Sequence, residues 1–362
     1  MLLKIFNGYK RINLLGISYM GILKYFYIDI AVDLGTANTL IIHNDKIVVD
    51  EPSIIAIDRH TNKMIAVGKA AMQMHEKTHD TIKTIKPLRD GVIADYHAAE
   101  LMIQGMIKML SKRKLGLFTP FFNRIIICIP SGTTDVEKRA VRDSAAHTGA
   151  KEVYMVYEPI AAAIGIGVNI GEPVGCMIVD IGGGTTEIAV ISLSGIACDQ
   201  SIKVAGNAFN KDILDYMRKQ HNLVIGERTA EQIKIAVGAV WMDLLEPPAD
   251  YAVHGKDLMT GIPNIISVSY REIAVALEES AVKIDDAVLK ALEMAPPELA
   301  SDIYKNGIHL TGGGALLRGL DKRLHNITKL PVHVAEEPLQ AVVRGTGIAL
   351  KNIESYRSIL MN

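Results

Sequence analysis

The sequence predicts an α/β protein of two similar lobes that face each other across a cleft. Three observations lead there. Apolar β-branched runs alternate with segments of 3.6-residue periodicity. One acidic Gly/Thr turn occurs twice, at Asp33 and again at Asp180. The 362 residues suffice for two cores of ordinary size.

The strand-like runs lie at residues 28–32, 40–43, 47–49, 54–57, 125–129, 177–179 and 188–191. Helical periodicity covers 98–110, 136–148, 210–220, 230–240 and 270–292. Strands alternating with helices imply sheets whose faces are covered. The Pro-rich stretch 246–250 and the Gly/Pro turn 261–263 read as a small surface excursion.

Hydrophobic residues make up 49% and charged residues 22%, a globular composition. Acids and bases nearly cancel, 40 against 39, which argues against broad nucleic-acid binding. Cys128, Cys176 and Cys198 sit in apolar runs without CxxC spacing, so they read as buried thiols. Charge is uneven at the amino terminus. Residues 1–27 hold Lys4, Lys10, Arg11 and Lys24 and no acid, with aromatics at Phe6, Tyr9, Tyr19, Tyr25, Phe26 and Tyr27. The stretch is too short in uncharged residues to span a bilayer, and no small-x-small cleavage site follows it. As a helix it places Leu2, Ile5, Phe6, Tyr9 and Ile12 on one stripe, with Lys4 and Arg11 off it. That is the pattern of a basic interfacial helix, or equally of a helix packed on the protein's own surface.

The two turns carry the chemistry. Asp33–Thr39 (DLGTANT) and Asp180–Thr186 (DIGGGTT) each follow one apolar strand and precede another. Glycine lets the main chain approach a phosphate with no Cβ in the way, and successive N–H groups form an anion nest. An aspartate beside that nest would repel phosphate unless a cation intervenes. Asp33 and Asp180 therefore imply Mg²⁺, held through its waters. Either turn alone is equally a tight hairpin; two that match favour a shared site. No GxxxxGK[ST] and no GxGxxG occurs, which excludes a P-loop and disfavours a dinucleotide enzyme.

A third glycine cluster, 310–320 (LTGGGALLRGL), follows a strand-like run and is expected to open a helix, where free N–H groups or a flat adenine would find space. In 226–234 (GERTAEQIK), Thr229 reads as an N-cap. Glu231 and Lys234 share a face, as ribose contacts or as a solvated ion pair. In 125–142, Thr134 or Asp135 would cap a helix with Glu137 in its first turn. Glu137 there complements the helix dipole or, if the helix points into the cleft, orients a water in line with a γ-phosphate.

These pieces, in this order, resemble the actin, Hsp70 and sugar-kinase superfamily: phosphate 1 at 33–39, connect 1 at 129–146, phosphate 2 at 180–186 and the adenosine motif at 310–320. Longer stretches at 49–53, 86–95, 157–165, 225–231 and 296–302 resemble the MreB family of bacterial actins, and the resemblance runs over about 28–353. It implies an actin-like (ribonuclease H-like) two-lobed ATPase fold of four subdomains. Lobe I would be 28–165 with 335–362 (small subdomain 52–84), and lobe II 166–334 (small subdomain 200–264). ATP and Mg²⁺ would occupy the cleft. Carried over by motif, Thr36, Ala37, Asn38, Gly182, Gly183, Gly184, Thr185, Glu231, Gln232, Ile233, Lys234, Gly312, Gly313, Gly314 and Ala315 become nucleotide contacts. Asp33 and Asp180 become the Mg²⁺ carboxylates, and Glu137 the residue that positions the hydrolytic water.

The resemblance further implies membrane-associated double filaments that determine cell shape and organise cell-wall elongation, with slow hydrolysis linked to filament state. The location would be cytoplasmic, at the inner face of the cell membrane, with the anionic membrane surface, RodZ, MreC and MreD as partners. Leu117 and Phe118 match the family's membrane-insertion loop; with Phe121 and Phe122 they make the loop 115–122 unusually apolar. The amino terminus departs from the family: 32 residues precede Asp33, and Met20 is a more usual start. The competing readings are an Hsp70-type chaperone ATPase, for which no substrate domain follows the adenosine motif, and a small-molecule kinase, for which no pocket aspartate stands out.

Overall fold

The computed structural model describes residues 27–114 and 121–362. The amphipathic reading of 1–26 and the membrane residues Leu117 and Phe118 lie outside the described residues.

The first half holds β1 (Tyr27–Leu34), β2 (Asn38–His43) and β3 (Lys46–Pro52), then β4 (Ile55–Asp58), β5 (Met64–Val67), α1 (Lys69–Met74) and β6 (Ile82–Ile85). There follow β7 (Leu88–Arg89), β8 (Val92–Ile93), α2 (Tyr96–Lys114), β9 (Phe121–Ile129), α3 (Asp135–Ala146), β10 (Glu152–Tyr157) and α4 (Glu158–Gly165). The second half begins with β11 (Cys176–Ile181), β12 (Thr186–Ser192), β13 (Gly195–Ile202), α5 (Gly206–His221), β14 (Leu223–Val224) and α6 (Glu227–Val237). It continues with β15 (Tyr251–Asp257), β16 (Pro263–Val268), α7 (Tyr270–Met294), α8 (Pro297–Asn306), β17 (Ile308–Thr311), α9 (Leu320–Thr328), β18 (Val332–Val334) and α10 (Ala341–Lys351).

The two halves repeat one topology. One sheet runs β3-β2-β1-β9-β10 and the other β13-β12-β11-β17-β18. In each, an antiparallel meander is extended in parallel from its first strand, β1 by β9 and β11 by β17. β1 and β11 are therefore central and covered on both faces, which is why they read as apolar runs interrupted only by aspartates, Asp29 and Asp33 in the one and Asp180 in the other. Every residue of β11 is buried.

Three large cores follow. Ile30, Val32, Met102 and Ile127 pack between the first sheet and α2. Val179, Ile188, Phe209 and Ile284 pack on the outer face of the second. Between the sheets, Ala31, Ile126, Ile178 and Ala189 meet α4 and α10. These two helices touch backbone to backbone. A Cβ on Gly345 would lie 1.7 Å from the Ala161 carbonyl oxygen, and one on Gly165 would lie 1.9 Å from that of Ala341.

Each half also carries a small sheet, β5-β4-β6 in the first and β14-β15-β16 in the second. The stretch expected to be a surface excursion thus contains a hairpin, with Val253 and Val268 fully buried. Its strands are half-exposed and one begins with proline, so the apolar pattern was diluted. The small sheets echo each other as well. Asp58 Oδ1 accepts from the amides of His60 and Thr61, and Asp257 Oδ1 from those of Met259 and Thr260. Both are D-x-x-T turns closing a hairpin. One further correction concerns the apolar loop 115–122: Phe121 and Phe122 already belong to β9, and Phe122 is 3% exposed in the core. Cys128, Cys176 and Cys198 are all buried and free.

Candidate functional site

Asp33 and Asp180 occupy equivalent places, one residue from the end of β1 and of β11. The strands deliver the turns that follow them to one point. A Cβ on Gly183 would lie 2.5 Å from Ala37 Cβ, and one on Gly184 would lie 2.6 Å from Thr36 Oγ1. The turns meet only because these positions lack side chains. The hydroxyl of Thr36 also accepts from the Gly91 amide at 3.0 Å, tying the β7–β8 hairpin to the first turn.

The third cluster joins them. Thr311 Oγ1 donates to Asp180 Oδ1 at 2.8 Å. Gly312, at φ +76, would place a Cβ 2.4 Å from the Ile181 carbonyl oxygen, and Gly314 would place one 2.1 Å from Ile181 Cγ2. The cluster forms a four-residue 3-10 turn, Gly313–Leu316, with Ala315 buried; α9 starts only after Gly319. The expected helix N-terminus is thus replaced by a tighter turn. The amides of Gly183, Gly184 and Thr185 make no hydrogen bond to any described residue, so the second turn keeps three donors available for an anion.

Four carboxyl groups share this space. Burial and the charge of Asp180 push Asp33 up to about 7. Burial pushes Asp180 up to about 6, against the Thr311 hydroxyl and with help from Glu187. Glu158, the first residue of α4, is raised well above the usual carboxylate range by burial and then by Asp33, Glu187 and Asp180. Glu187 is raised by burial, against hydrogen bonds from Ser201 and Ser131. No lysine or arginine contributes to any of these shifts. Buried carboxylates without a cation resist ionisation, so a divalent ion that prefers oxygen fits the donor set. Among the described residues no three His, Cys, Asp or Glu side chains converge as a ligand set, so most ligands of such an ion would be water or phosphate oxygens.

Glu158 was missed as a site residue, although 157–165 carried family resemblance. The available signal was an acid set between an apolar strand and an apolar helix. Glu137, the expected water-positioning residue, also caps its own helix. Its Oε2 accepts from the Thr134 amide at 2.8 Å and hydroxyl at 2.7 Å, completing a capping box with Thr134 as N-cap. Glu137 thus complements its helix start while lining a small cavity with Leu34, Gly91 and Pro130 beside the first turn, and Glu158 is a further carboxyl group close to the two aspartates.

The α6 residues divide by face. Lys234 Nζ binds Glu231 at 2.8 Å and the Gly206 carbonyl oxygen at 3.1 Å, while Asn210 donates to Glu231 at 2.7 Å. Gly206 and Asn207 in turn donate their amides to the carbonyl oxygens of Gly182 and Gly183. Glu231 and Lys234 therefore connect α6 and α5 to the second turn. Ile233 is buried in the core and Gln232 is exposed, so their side chains serve packing and solvent. Gly226, with no capping side chain, takes the N-cap position expected of Thr229, which lies inside the first helical turn. On the first turn Thr36 is buried, whereas Ala37 and Asn38 are exposed.

Residues 27–358 match the MreB/Mbl protein family. The chain belongs to the MreB/Mbl family. It is 45% identical over 327 residues to the cell shape-determining protein Mbl of Bacillus subtilis (strain 168), covering 90% of this chain and 96% of the relative. It is 45% identical over 333 residues to the cell shape-determining protein MreB of Escherichia coli (strain K12), covering 91% and 94%. Among solved structures, MreB 5 of Spiroplasma citri bound to AMPPNP superposes with a TM-score of 0.84 at 39% identity, over 92% of this chain and 98% of that one. MamK, solved as a double helical filament, shares the fold with a TM-score of 0.72 at 19% identity, over 91% and 99%. The MreB/Mbl chain thus has the actin-like fold, with its duplicated sheets and central turns. Among its described residues no helix is long and apolar enough to cross a membrane.

Proposed function

We propose that this actin homologue binds ATP with Mg²⁺ between its two lobes and polymerises into membrane-associated double filaments that organise cell-wall elongation. One observation carries the nucleotide reading: the two acidic turns and the third glycine cluster meet beside buried Asp33 and Asp180, whose carboxyl groups have no lysine or arginine partner. The Spiroplasma citri relative was solved with AMPPNP and with ADP, which supports it. The working lobes are 28–165 with 335–362, and 166–334, their small subdomains being 52–84 and 200–264. The amides of Gly183, Gly184 and Thr185 would take phosphate oxygens, with Thr36, Ala37 and Asn38 on the opposing turn. Asp33 and Asp180 would hold Mg²⁺ through water, and the ion when bound neutralises phosphate charge. The 3-10 turn Gly313–Leu316 offers side-chain-free backbone to a base, and Glu231 and Lys234 their polar face to a ribose.

Polymerisation is tested by light scattering and electron microscopy of purified protein with lipid. ATP and Mg²⁺ are expected to raise scattering and yield filaments; a flat trace with ATP and lipid present would remove the filament reading. Glu158 is the group able to orient or accept a proton from an attacking water. Glu158→Gln is expected to slow hydrolysis by about 10²-fold. Glu137→Gln should instead lower the melting temperature through its cap, with hydrolysis within about threefold of the parent. The reverse pattern in a phosphate-release assay would restore Glu137 to the role.

Filament proteins of this kind act at the cytoplasmic face of the cell membrane, where RodZ, MreC and MreD are the partners to test by co-purification. Leu117 and Phe118 are proposed to insert in that membrane, beside the basic segment 1–27. Full-length protein should co-sediment with anionic liposomes, and Leu117→Ser with Phe118→Ser, started at Met20, should stay in the supernatant. Equal sedimentation of both would rule out the loop as an anchor.

A further inference from the structure

Helix α6 begins without a cap of its own, and the opposite half of the molecule supplies one. The helix-start amides lack intrahelical acceptors, and Gly226 offers no side-chain oxygen to them. Glu76, just beyond α1, brings its Oε1 to 3.3 Å from the Glu227 amide. Its backbone sits at φ +59, a left-handed conformation unusual for glutamate, which fixes the direction of that reach. The approach requires glycine opposite: a Cβ on Gly226 would lie 2.4 Å from Glu76 Oε2.

Charge reinforces the cap. Lys86 Nζ contacts Glu227 Oε2 directly. His75 Nε2, buried and with no hydrogen-bond partner, stands 3.7 Å from the same oxygen, while its Nδ1 meets Thr84 Oγ1 at 2.9 Å. Burial raises the Glu227 carboxyl, but Lys86 and His75 outweigh it and hold it below its ordinary value. Residues 75–86 therefore grip the end of a helix that lies some 140 residues further along the chain. Further along α6, Lys234 reaches the Gly206 carbonyl, and the amides of Gly206 and Asn207 hold Gly182 and Gly183. A continuous chain of bonds thus joins the grip to the phosphate turn.

We propose that Glu76, Lys86 and Glu227 form a clasp across the cleft mouth, and that they act as positioning residues which slow nucleotide release by holding α6 against the second turn. The proposal rests on the nucleotide reading above for its kinetic consequence, though not for the clasp itself. Two measurements on the full chain separate the two. The first is dissociation of a fluorescent ATP analogue with Mg²⁺ by stopped flow. Lys86→Glu and Glu227→Lys are each expected to speed release by about two- to fivefold, the range for a part-exposed ion pair with a cap attached. The double exchange should return to within about twofold of the parent. A merely structural effect would not be rescued by exchanging the charges. Gly226→Ala should also speed release, by displacing Glu76. Release at the parental rate in all variants, or a double exchange as fast as the singles, would overturn the proposal.

The second measurement needs no nucleotide. Spin labels at Asp80→Cys and Glu246→Cys, both exposed, report the width of the cleft mouth, the native cysteines being buried. Each single charge change should lengthen or broaden the distance distribution, and the double exchange should restore it. An unchanged distribution would overturn the clasp however nucleotide behaves. Parental protein that binds no analogue, yet shows the distance changes, would overturn the nucleotide reading and the kinetic role together while upholding the clasp.

Discussion

Raising the pH from about 5 to about 8 is expected to destabilise the nucleotide-free protein, and Mg²⁺ with ATP to return most of the lost stability. Asp33 at about 7 and Asp180 at about 6 both stand above their ordinary 3.8. Between roughly pH 4 and 7 the folded chain therefore keeps protons that the unfolded chain has released. Unfolding sheds those protons, so stability is full below that window and falls as the pH climbs through it. From about pH 5 to about pH 8 the two aspartates together lose on the order of 4 kcal/mol. Glu158 and Glu187, also raised, add in the same direction. A divalent cation reverses the sign of the local field and lets both aspartates ionise, so its stabilising effect should be larger at pH 8 than at pH 5. Melting curves with and without Mg²⁺–ATP at several pH values measure this directly. Asp33→Asn should flatten the slope and remove the Mg²⁺–ATP gain. A parental slope that stays level, or a gain that is greatest in acid, would contradict the shared acidic site.

Gly345→Val is the second large effect expected, and it concerns the helix pair packed between the two large sheets. At Gly345 an added Cβ falls 1.7 Å from the Ala161 carbonyl oxygen and 2.8 Å from the Gly165 amide nitrogen. Those atoms belong to the backbone of α4, so they cannot turn aside as a flexible side chain would. The helices must separate, opening the core that also holds Ala31, Ile178 and Ala189. Overpacking of this kind costs about 3 kcal/mol or more, and loss of helix contact adds to it. Chemical denaturation should show the midpoint shifted far down or no folded baseline at all. Ile348→Ala, three residues on and 38% exposed, serves as the control, with a change of about 0.5 kcal/mol or less. Similar midpoints for the two variants would mean that α4 and α10 are not in backbone contact.

Both predictions rest on features with different visibility in the sequence. The acidic turns were legible because their chemistry is local: an aspartate closing an apolar run, then glycines and threonines. So were the strands on either side of them, since β1 and β11 are buried on both faces and stay apolar but for Asp29, Asp33 and Asp180. Thr134 was readable as a cap for the same reason, as its partner lies three residues away. Other features depend on partners far along the chain. Gly165 and Gly345 look like ordinary helix glycines until the two helices are placed side by side. Glu158 looks like an N-terminal helix acid until burial sets it against Asp33 and Asp180. Glu137 and Glu158 each open a helix, and only the fold shows that the first caps its own backbone and that the second is buried near the aspartates.

The sequence by itself determined the α/β class, the duplicated acidic hairpins and the glycine-rich turns proposed to take phosphate, because each follows from neighbours within one strand and one turn. Tertiary structure alone decided that the three glycine clusters touch, which carboxyl groups are buried near one another, and that the end of α6 is held from across the cleft. The reason is physical: desolvation and close backbone approach depend on what lies within a few ångströms in space, and spacing along the chain carries no record of it.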